Sequence, residues 1–533
     1  MLASLWKKTF VFFRYYSPVL LAGVLYGVGN NFAEFFWPTA ILSIFLLLVF
    51  ITTLKSNESA FLAGVLFEFV FLVVSFSWVL QSFPLEWMGV TSHAFAGLFI
   101  FFIWMIVPLY MSLPFGLLTL FTRTVLTSKA HFFIKALSIP SFWVVAEIAR
   151  AGMYTIFFLG DQSLLYPHTT YHSLAYTLVW SDFFSTLLPW GGMYIISFVS
   201  VFLIVLISIQ KNNKKLFILF LCMLAAFQFL VSYKKIEYVD TAKVSFFTTQ
   251  FESVSLKMIH KVNRYEDSKE IFNTEIVQHP EIRTSDMIIF PENTYFVAQS
   301  PHVQDSNLLG FENSLFLDSA RYQGEYLLTY LKENKKEYYK KQMLLPQGEY
   351  SSYWVKYFAT MFNQKKWIES FEIERATIPG LVSSVYSTTF FDPTKNGGIT
   401  IGGILCYEII SPVFFRKQTE AGATILVVLA SHAIFPNSKS LLNQTISIAK
   451  VRAVENNRFI VQSTNKNSSF VISNKGEVVF VTDPNKVSLH TVNVPLIESK
   501  TLYTKYGDFM ATFSFAFSIL TLGYFLLKRK HLL

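Results

Sequence analysis

Residues 398–408 read GITIGGILCYE, and residues 423–431 read ATILVVLAS. Each is a short, β-branched apolar run with turn-forming or charged neighbours and no polar face. That is the pattern of a strand covered on both sides. The first run ends in Cys-Tyr-Glu, so polar chemistry begins where the strand stops. The same rhythm continues outward from this pair. KVSFFTTQ (243–250) alternates as a strand, residues 263–278 carry a helical pattern, and DMIIFPE (286–292) is a buried strand running into a Pro-Glu turn. GEYLLTYL (324–331) and EYYKKQMLL (337–345) read as a strand pair across a Lys-Glu-Asn turn. LLNQTISIAKVRAVENN (441–457) reads as a helix, followed by strands RFIVQSTN (458–465), SSFVIS (468–473) and GEVVFV (476–481). Alternation of strands and helices predicts an α/β layer fold. Chemistry in such sheets gathers beyond the carboxyl ends of strands, here at Glu292, Lys341 and Cys406.

Beyond this region the chain changes character. Of its 533 residues, 53% are hydrophobic, 17% aromatic and only 15% charged, against roughly 25% charged in a soluble domain. That composition excludes both disorder and an ordinary soluble globule. A spanning helix needs about 20 mostly apolar residues, and seven candidates precede residue 235: 16–32, 37–54, 59–80, 94–120, 136–158, 191–209 and 216–232. An eighth is 508–527. The expected organisation is a seven-helix membrane part (1–235), a water-exposed α/β domain (240–500) and a last membrane helix (508–527). The basic N-terminus reads as a retained first span rather than a removed signal.

The net charge of +9 is distributed unevenly. Lys7, Lys8, Arg14, Lys55, Arg123, Lys129, Lys135, Lys211, Lys214, Lys215, Lys528, Arg529 and Lys530 flank alternate ends of the spans. The intervening loops hold Glu34, Glu86, Asp161 and Asp182 and no Lys or Arg. With eight spans all basic clusters fall on one side, which predicts cytoplasmic termini and a large domain outside the cytoplasmic membrane. The excess charge is therefore topological, and no zinc-finger, Walker or dinucleotide-binding pattern supports a nucleic-acid or nucleotide partner. Two cysteines far apart, Cys222 and Cys406, make neither a disulfide framework nor a metal site, so no cofactor or metal is expected. Cys222, within LFLCMLAAF, reads as a lipid- or helix-facing residue.

The three strand-end residues have complementary chemistry. A thiol needs a base to become a thiolate, because its reference pKa is about 8.5. It also needs positive charge or amide donors where the oxyanion develops. Cys406 is placed as a presented nucleophile, Glu292 as a general base and Lys341 as a cation, while Glu349 on the following Pro-Gln-Gly turn offers a second carboxylate. If 337–345 is a strand, Lys340 and Lys341 face opposite ways. No His adjoins the cysteine to make a Cys-His pair.

Pro-Glu after an apolar strand, Lys-x-x-Leu-x-Pro-x-Gly-Glu (341–349), and Cys-Tyr-Glu after a Gly-containing strand resemble the nitrilase superfamily, whose Glu-Lys-Cys triad maps to Glu292, Lys341 and Cys406. A nitrilase-like domain with seven spans before it and one after it resembles the apolipoprotein N-acyltransferase family in particular. SFWVVAEIAR (141–150) is similar to that family's Trp-x-x-x-Glu-x-x-Arg segment. LLPWGGMYIISFV (187–199), KVRAVENNR (450–458) and STN (463–465) are similar to further family segments. The resemblance implies an α/β nitrilase-like αββα sandwich on a membrane α-helical bundle in the bacterial inner membrane, with the catalytic domain periplasmic. It implies acyl transfer from a phospholipid donor, through a Cys406 thioester, to the α-amino group of a diacylated lipoprotein acceptor, by a protein expected to be a monomer. By the same analogy Glu349 orients Lys341 or the amine, a backbone N–H near Tyr407 joins Lys341 at the oxyanion, and Tyr407 and Glu408 shape the pocket behind the nucleophile.

This chain departs from the family pattern in places. Ser431-His432-Ala433-Ile434-Phe435 stands where Asn-Asp-x-Trp-Phe is usual, Met343 and Gln347 replace a His and an aromatic residue, and the domain's Gln-Gly-Asn opening is reduced to Gln250-Phe251-Glu252. The alternatives are a membrane-anchored amidase, in which water resolves the thioester, and a degenerate homologue with an altered acceptor. A transporter would need paired ionisable residues in several spans. Here Glu68 and the Glu147/Arg150 pair are nearly the whole inventory, and the i,i+3 spacing of that pair suggests that it satisfies itself on one helix.

Overall fold

The computed structural model describes residues 2–165, 168–209, 237–253, 263–296, 314–322, 325–332, 335–375, 377–380, 388–390 and 398–530. The chain opens with long apolar helices α1 (Leu2–Asn31), α2 (Ala33–Thr53), α3 (Asn57–Ser75), α4 (His93–Thr127) and α5 (Phe132–Phe157), then the shorter α6 (Met193–Ile209). Helices α7 (Arg264–Gln278), α8 (Tyr353–Met361), α9 (Lys365–Arg375), α10 (Pro412–Glu420) and α11 (Lys439–Asn456) are interleaved with strands, and α12 (Phe509–Lys530) returns to the bundle. Among the described residues six helices are long and apolar enough to cross a membrane, with α6 a shorter apolar helix. The expected span at 216–232, and Cys222 within it, lie outside the described residues.

Helices are the spanning form because each satisfies its own backbone in lipid. Close approach is set by small residues: a Cβ on Gly64 would sit 2.1 Å from the Phe115 carbonyl oxygen, so α3 and α4 touch backbone to backbone there. The basic residues collect at one end of the bundle. Tyr15 meets Phe50 at 5.8 Å, and Arg123 donates to the Leu54 carbonyl at 3.2 Å and the Lys55 carbonyl at 2.6 Å. Lys135 donates to the Leu126 carbonyl at 3.0 Å, and Ser138 meets Thr521 of α12 at 3.1 Å. The sheet lies at the opposite end, where Gln444 of α11 donates to Asn31 Oδ1 (2.6 Å) and to the Ser75 carbonyl (2.8 Å).

The expected self-contained Glu147/Arg150 pair is not what the bundle builds. Arg150 Nη1 pairs with Glu68 of α3, and Nη2 donates to the Tyr171 and His172 carbonyls, both at 2.9 Å. Glu147 instead accepts from Trp143, Ser173, Ser197 and the Leu174 N–H. Inside the bundle the desolvated cation takes the carboxylate that packing brings to it, along with two loop carbonyls.

The strands are β1 (Asp240–Thr249), β2 (Met287–Ile289), β3 (Leu315–Tyr322), β4 (Glu325–Lys332), β5 (Lys335–Lys340), β6 (Thr388–Phe390), β7 (Ile399–Leu405), β8 (Ile425–Ser431), β9 (Ile460–Asn465), β10 (Phe470–Ile472), β11 (Val478–Val481) and β12 (Ser488–Leu496). Their order is β5-β4-β3-β2-β1-β9-β8-β7-β6, with β12 also on β1 and the β10–β11 hairpin on β9. The centre is parallel (β3-β2-β1-β9-β8-β7) and both flanks are antiparallel. Period-2 alternation sorts each central strand. Ile425, Val427 and Leu429 face a core made of strand residues and their immediate flanks alone, whereas Leu426 and Val428 face Phe414, Phe415, Ala449 and Val451 of α10 and α11. The one continuous sheet packs on itself inside, with helices outside, which gives the expected helix–sheet–sheet–helix layering. The sequence reading did not include β3, β6, β12 or helices α8–α10.

Candidate active site

Parallel β7 and β8 run side by side with Leu405 opposite Leu429, so Cys406 and Ser431 leave the sheet at neighbouring strand ends. Cys406 is the first residue of a short 3-10 turn (Cys406–Ile410) and has φ +43°, the left-handed region that a β-carbon disfavours. Its thiol faces the Ser431 carbonyl, 3.8 Å away. What holds this turn is Glu408. It is wholly buried and accepts the N–H groups of Leu405 (2.9 Å), Gln342 (2.7 Å) and Met343 (3.3 Å) and the Tyr339 hydroxyl (3.0 Å). Burial pushes its carboxyl up to about 7 against these donors. Glu408 therefore ties β7 to the segment after β5, and is a brace rather than a wall of the pocket.

Glu292 follows β2 through Phe290 and Pro291, is 4% exposed, and donates its N–H to the Ala430 carbonyl at 3.4 Å. β5 stops at Lys340, which is exposed, and the next residue, Lys341, is 1% exposed. The alternation expected for this pair holds even though Lys341 falls just past the strand. Lys341 Nζ donates to Glu292 Oε1 at 3.0 Å and to Glu349 Oε1 at 2.6 Å. The tight turn from Leu345 delivers Glu349, whose other oxygen accepts the Leu345 N–H at 2.8 Å. Two chain segments, one ending in Glu292 and one running from Lys341 to Glu349, thus place two carboxylates around one buried ammonium.

The electrostatics follow from this grouping. Burial alone disfavours a charged Lys341, but Glu292 and Glu349 more than offset it and hold its pKa well above the ordinary lysine value. Burial raises the Glu349 pKa, while Lys341 opposes. Burial, then the Glu292 charge, pushes the Cys406 thiol up, and Lys341 pulls it down. Cys406 therefore rests as a thiol, and would have to lose its proton in order to attack. Among the described residues no group of His, Cys, Asp or Glu is suited to hold a metal ion.

Cys406 and Tyr407 line a cavity of about 230 Å³ that also touches Gln347, Ser431 and His432, and reaches Phe99, Ile103 and Trp104 of α4. Its lining does not include Glu292, Lys341 or Glu349. Two of the departing segments, Ser431–Phe435 and Gln347, contribute to its wall. Sequence reasoning missed the membrane-side wall and Tyr154, Tyr171 and His172 on it. Only the aromatic density of α4 and of the 161–190 loop hinted at them.

A membrane bundle bearing a sheet with a strand-end Cys, Lys and two Glu defines the class: a membrane-embedded protein with a carbon–nitrogen hydrolase fold. Residues 22–206 match the apolipoprotein N-acyltransferase N-terminal domain, and residues 267–500 match the carbon–nitrogen hydrolase domain. The chain is 24% identical over 522 residues to the apolipoprotein N-acyltransferase of Prochlorococcus marinus subsp. pastoris, covering 93% of this chain and 94% of that one. A shorter match, 32% identical over 111 residues, joins it to the apolipoprotein N-acyltransferase of Geobacter metallireducens, covering 21% of each. Among solved structures an amidase from Nesterenkonia sp. is similar over 50% of this chain and 94% of that chain, with 13% identity and a TM-score of 0.33. The chain belongs to the apolipoprotein N-acyltransferase family.

Proposed function

We propose that the protein transfers a fatty acyl chain from a membrane phospholipid to the α-amino group of an S-diacylglyceryl-cysteine at a lipoprotein N-terminus, with Glu292, Lys341 and Cys406 as its triad. Glu292 takes the thiol proton as Cys406 Sγ attacks the ester carbonyl carbon. The carbonyl electron pair moves onto oxygen, where Lys341 and the Tyr407 N–H stabilise it. When the intermediate collapses, the C–O bond breaks and the lysophospholipid leaves with the proton from Glu292. An acyl-cysteine thioester remains. The acceptor amine then attacks that carbon, the C–S bond breaks, and the sulfur regains a proton through Glu292, releasing the amide. Glu349 holds Lys341 in place throughout.

The observation that carries this reading is the cavity wall. One cavity joins the Cys406 thiol to apolar residues of a spanning helix, so an acyl chain can lie against α4 while its ester meets the sulfur. The gathering of basic residues at the far end of the bundle supports an inner-membrane orientation with both termini cytoplasmic and the site periplasmic. All the named groups lie in one chain, which supports catalysis by a single copy.

Intact-mass analysis of the protein incubated with phosphatidylethanolamine tests this. One added acyl group is expected, absent in Cys406→Ala and discharged by a diacylated lipopeptide as an N-acyl product. An unmodified mass under every lipid condition refutes the reading. Discharge to free fatty acid, with no N-acyl product, replaces it by the amidase.

A further inference from the structure

Cys406 is not held by its own domain alone. The short segment Thr170–His172, between α5 and α6, reaches over the nucleophile's turn and grips it at both ends. The Thr170 N–H donates to the Ile410 carbonyl at 3.1 Å, and its hydroxyl bonds the same carbonyl. The Tyr171 hydroxyl donates to the Tyr407 hydroxyl, with the Tyr154 hydroxyl of α5 bonded to both. The segment is itself anchored twice. Arg452 of α11 donates to Thr170 Oγ1 at 2.9 Å and is neutralised by Glu455 at 2.7 Å. Arg150 donates to the Tyr171 and His172 carbonyls, both at 2.9 Å, and is neutralised by Glu68 of α3. Arg150, Glu68, Arg452 and Glu455 are all fully buried.

Two residues along this route carry a backbone that only surrounding contacts can maintain. Cys406 has φ +43° and His172 has φ +48°. A non-glycine residue in the left-handed region relaxes unless it is over-determined by its neighbours. For Cys406 the restraints are Glu408 from below and Thr170 and Tyr171 from the membrane side. A buried Arg–Glu pair inside a bundle is weak evidence for stability. Here Arg150 Nη2 is spent on two adjacent carbonyls of one loop, which is the arrangement expected of a device that fixes a conformation.

We infer that the Glu68–Arg150 pair and the Thr170–His172 segment form a positioning element for the nucleophile, so that the membrane helices set the orientation of Cys406 and the neighbouring Tyr407 N–H rather than only anchoring the catalytic domain. The inference rests on the acyl-transfer reading for its role in catalysis, but the positioning is measurable without it. Glu68 and Arg150 do not line the cavity, whereas Thr170, Tyr171 and His172 do; the positioning acts on the sulfur through Tyr407 and the Cys406–Ile410 turn.

The test uses the full-length protein in nanodiscs containing phosphatidylethanolamine. Thioester formation is followed over a range of lipid fractions, and Cys406 alkylation by iodoacetamide is followed in lipid-free micelles. Tyr171→Phe removes one hydroxyl and no packing volume. It is expected to lower the maximal rate of thioester formation about 2- to 10-fold, the range of one hydrogen bond, with the half-saturating lipid fraction and the unfolding temperature unchanged. Tyr407→Phe is expected to have a similar effect, and the double variant to be less slow than the product of the two single effects, because the Tyr171–Tyr407 contact is common to both. Alkylation is expected to slow in the same variants. Glu68→Gln is expected to slow both reactions further, and if it does not fold, the tyrosine pair still decides. A wild-type rate in Tyr171→Phe, multiplied effects in the double variant, or a change confined to half-saturation overturns the inference. If wild type forms no thioester while the variants still slow alkylation, the acyl-transfer reading fails and the positioning element stands.

Discussion

Replacing Glu349 by Gln exchanges one carboxylate for an amide at the centre of the charged group, and two consequences of opposite sign follow. Lys341 loses a 2.6 Å charged contact and keeps only the 3.0 Å contact to Glu292. A hydrogen bond to a charged group contributes about 1.5–3 kcal/mol. If the whole of it positions the ammonium at the transition state, thioester formation slows roughly 10- to 150-fold, at about 1.4 kcal/mol per tenfold. The thiol responds the other way. Glu349 is one of the charges that hold the Cys406 pKa up, after burial and Glu292, so its removal brings that pKa down. The variant is therefore expected to be slower in acyl transfer yet easier to ionise. Alkylation of Cys406 by iodoacetamide across a pH series gives the second quantity, and intact-mass kinetics with phosphatidylethanolamine give the first. An alkylation midpoint that stays in place or moves up refutes the coupling drawn between Glu349, Lys341 and the thiol. Unchanged acylation kinetics refute the role of Glu349 in holding Lys341.

Three further outcomes are expected. His432 is buried and its imidazole is held down at about 4 by desolvation. The unfolded chain binds its proton from about pH 6.5 downward while the folded chain does not, so stability is lost as pH falls from 6.5 towards 4, by at most about 3 kcal/mol. Unfolding curves at pH 7 and pH 4.5 are expected to converge in His432→Gln relative to wild type. Gly64→Ala places a β-carbon 2.1 Å from the Phe115 carbonyl oxygen and is expected to destabilise the bundle by about 1–3 kcal/mol, read as a lower unfolding temperature in micelles. Glu408→Gln leaves one acceptor oxygen facing three N–H groups and a hydroxyl. It is expected to lose about 2–4 kcal/mol of stability from the unsatisfied donors and to reduce alkylation of Cys406 even where the protein remains folded.

Much of this protein is written in local pattern. Runs such as ILVVLAS and the apolar helices declare themselves because burial on both faces, or immersion in lipid, removes polar residues from the whole run. Glu292, Lys341 and Cys406 are legible for a related reason: a polar side chain directly after an apolar strand must lie at a sheet end. Their elements matched the reading, and where an edge moved it moved by a few residues, as when β5 stopped at Lys340. The marginal strands were less legible. β3 and β6 take their form from pairing with neighbours that no local periodicity announces.

The sequence alone determined the class, the membrane character and the identity of the strand-end groups, since each depends on hydrophobic period and on what immediately follows a buried strand. It did not determine who meets whom. From spacing, Arg150 belongs to Glu147; in the folded chain it belongs to Glu68 and to the carbonyls of Tyr171 and His172. Glu408 sits two residues after Cys406 in sequence and reads as pocket, yet its burial turns it into a brace of four hydrogen bonds. The tertiary structure decided these because a buried charge or polar group takes whichever partners the packing of distant segments supplies, and the penalty for leaving it unpaired exceeds any preference set by neighbours along the chain.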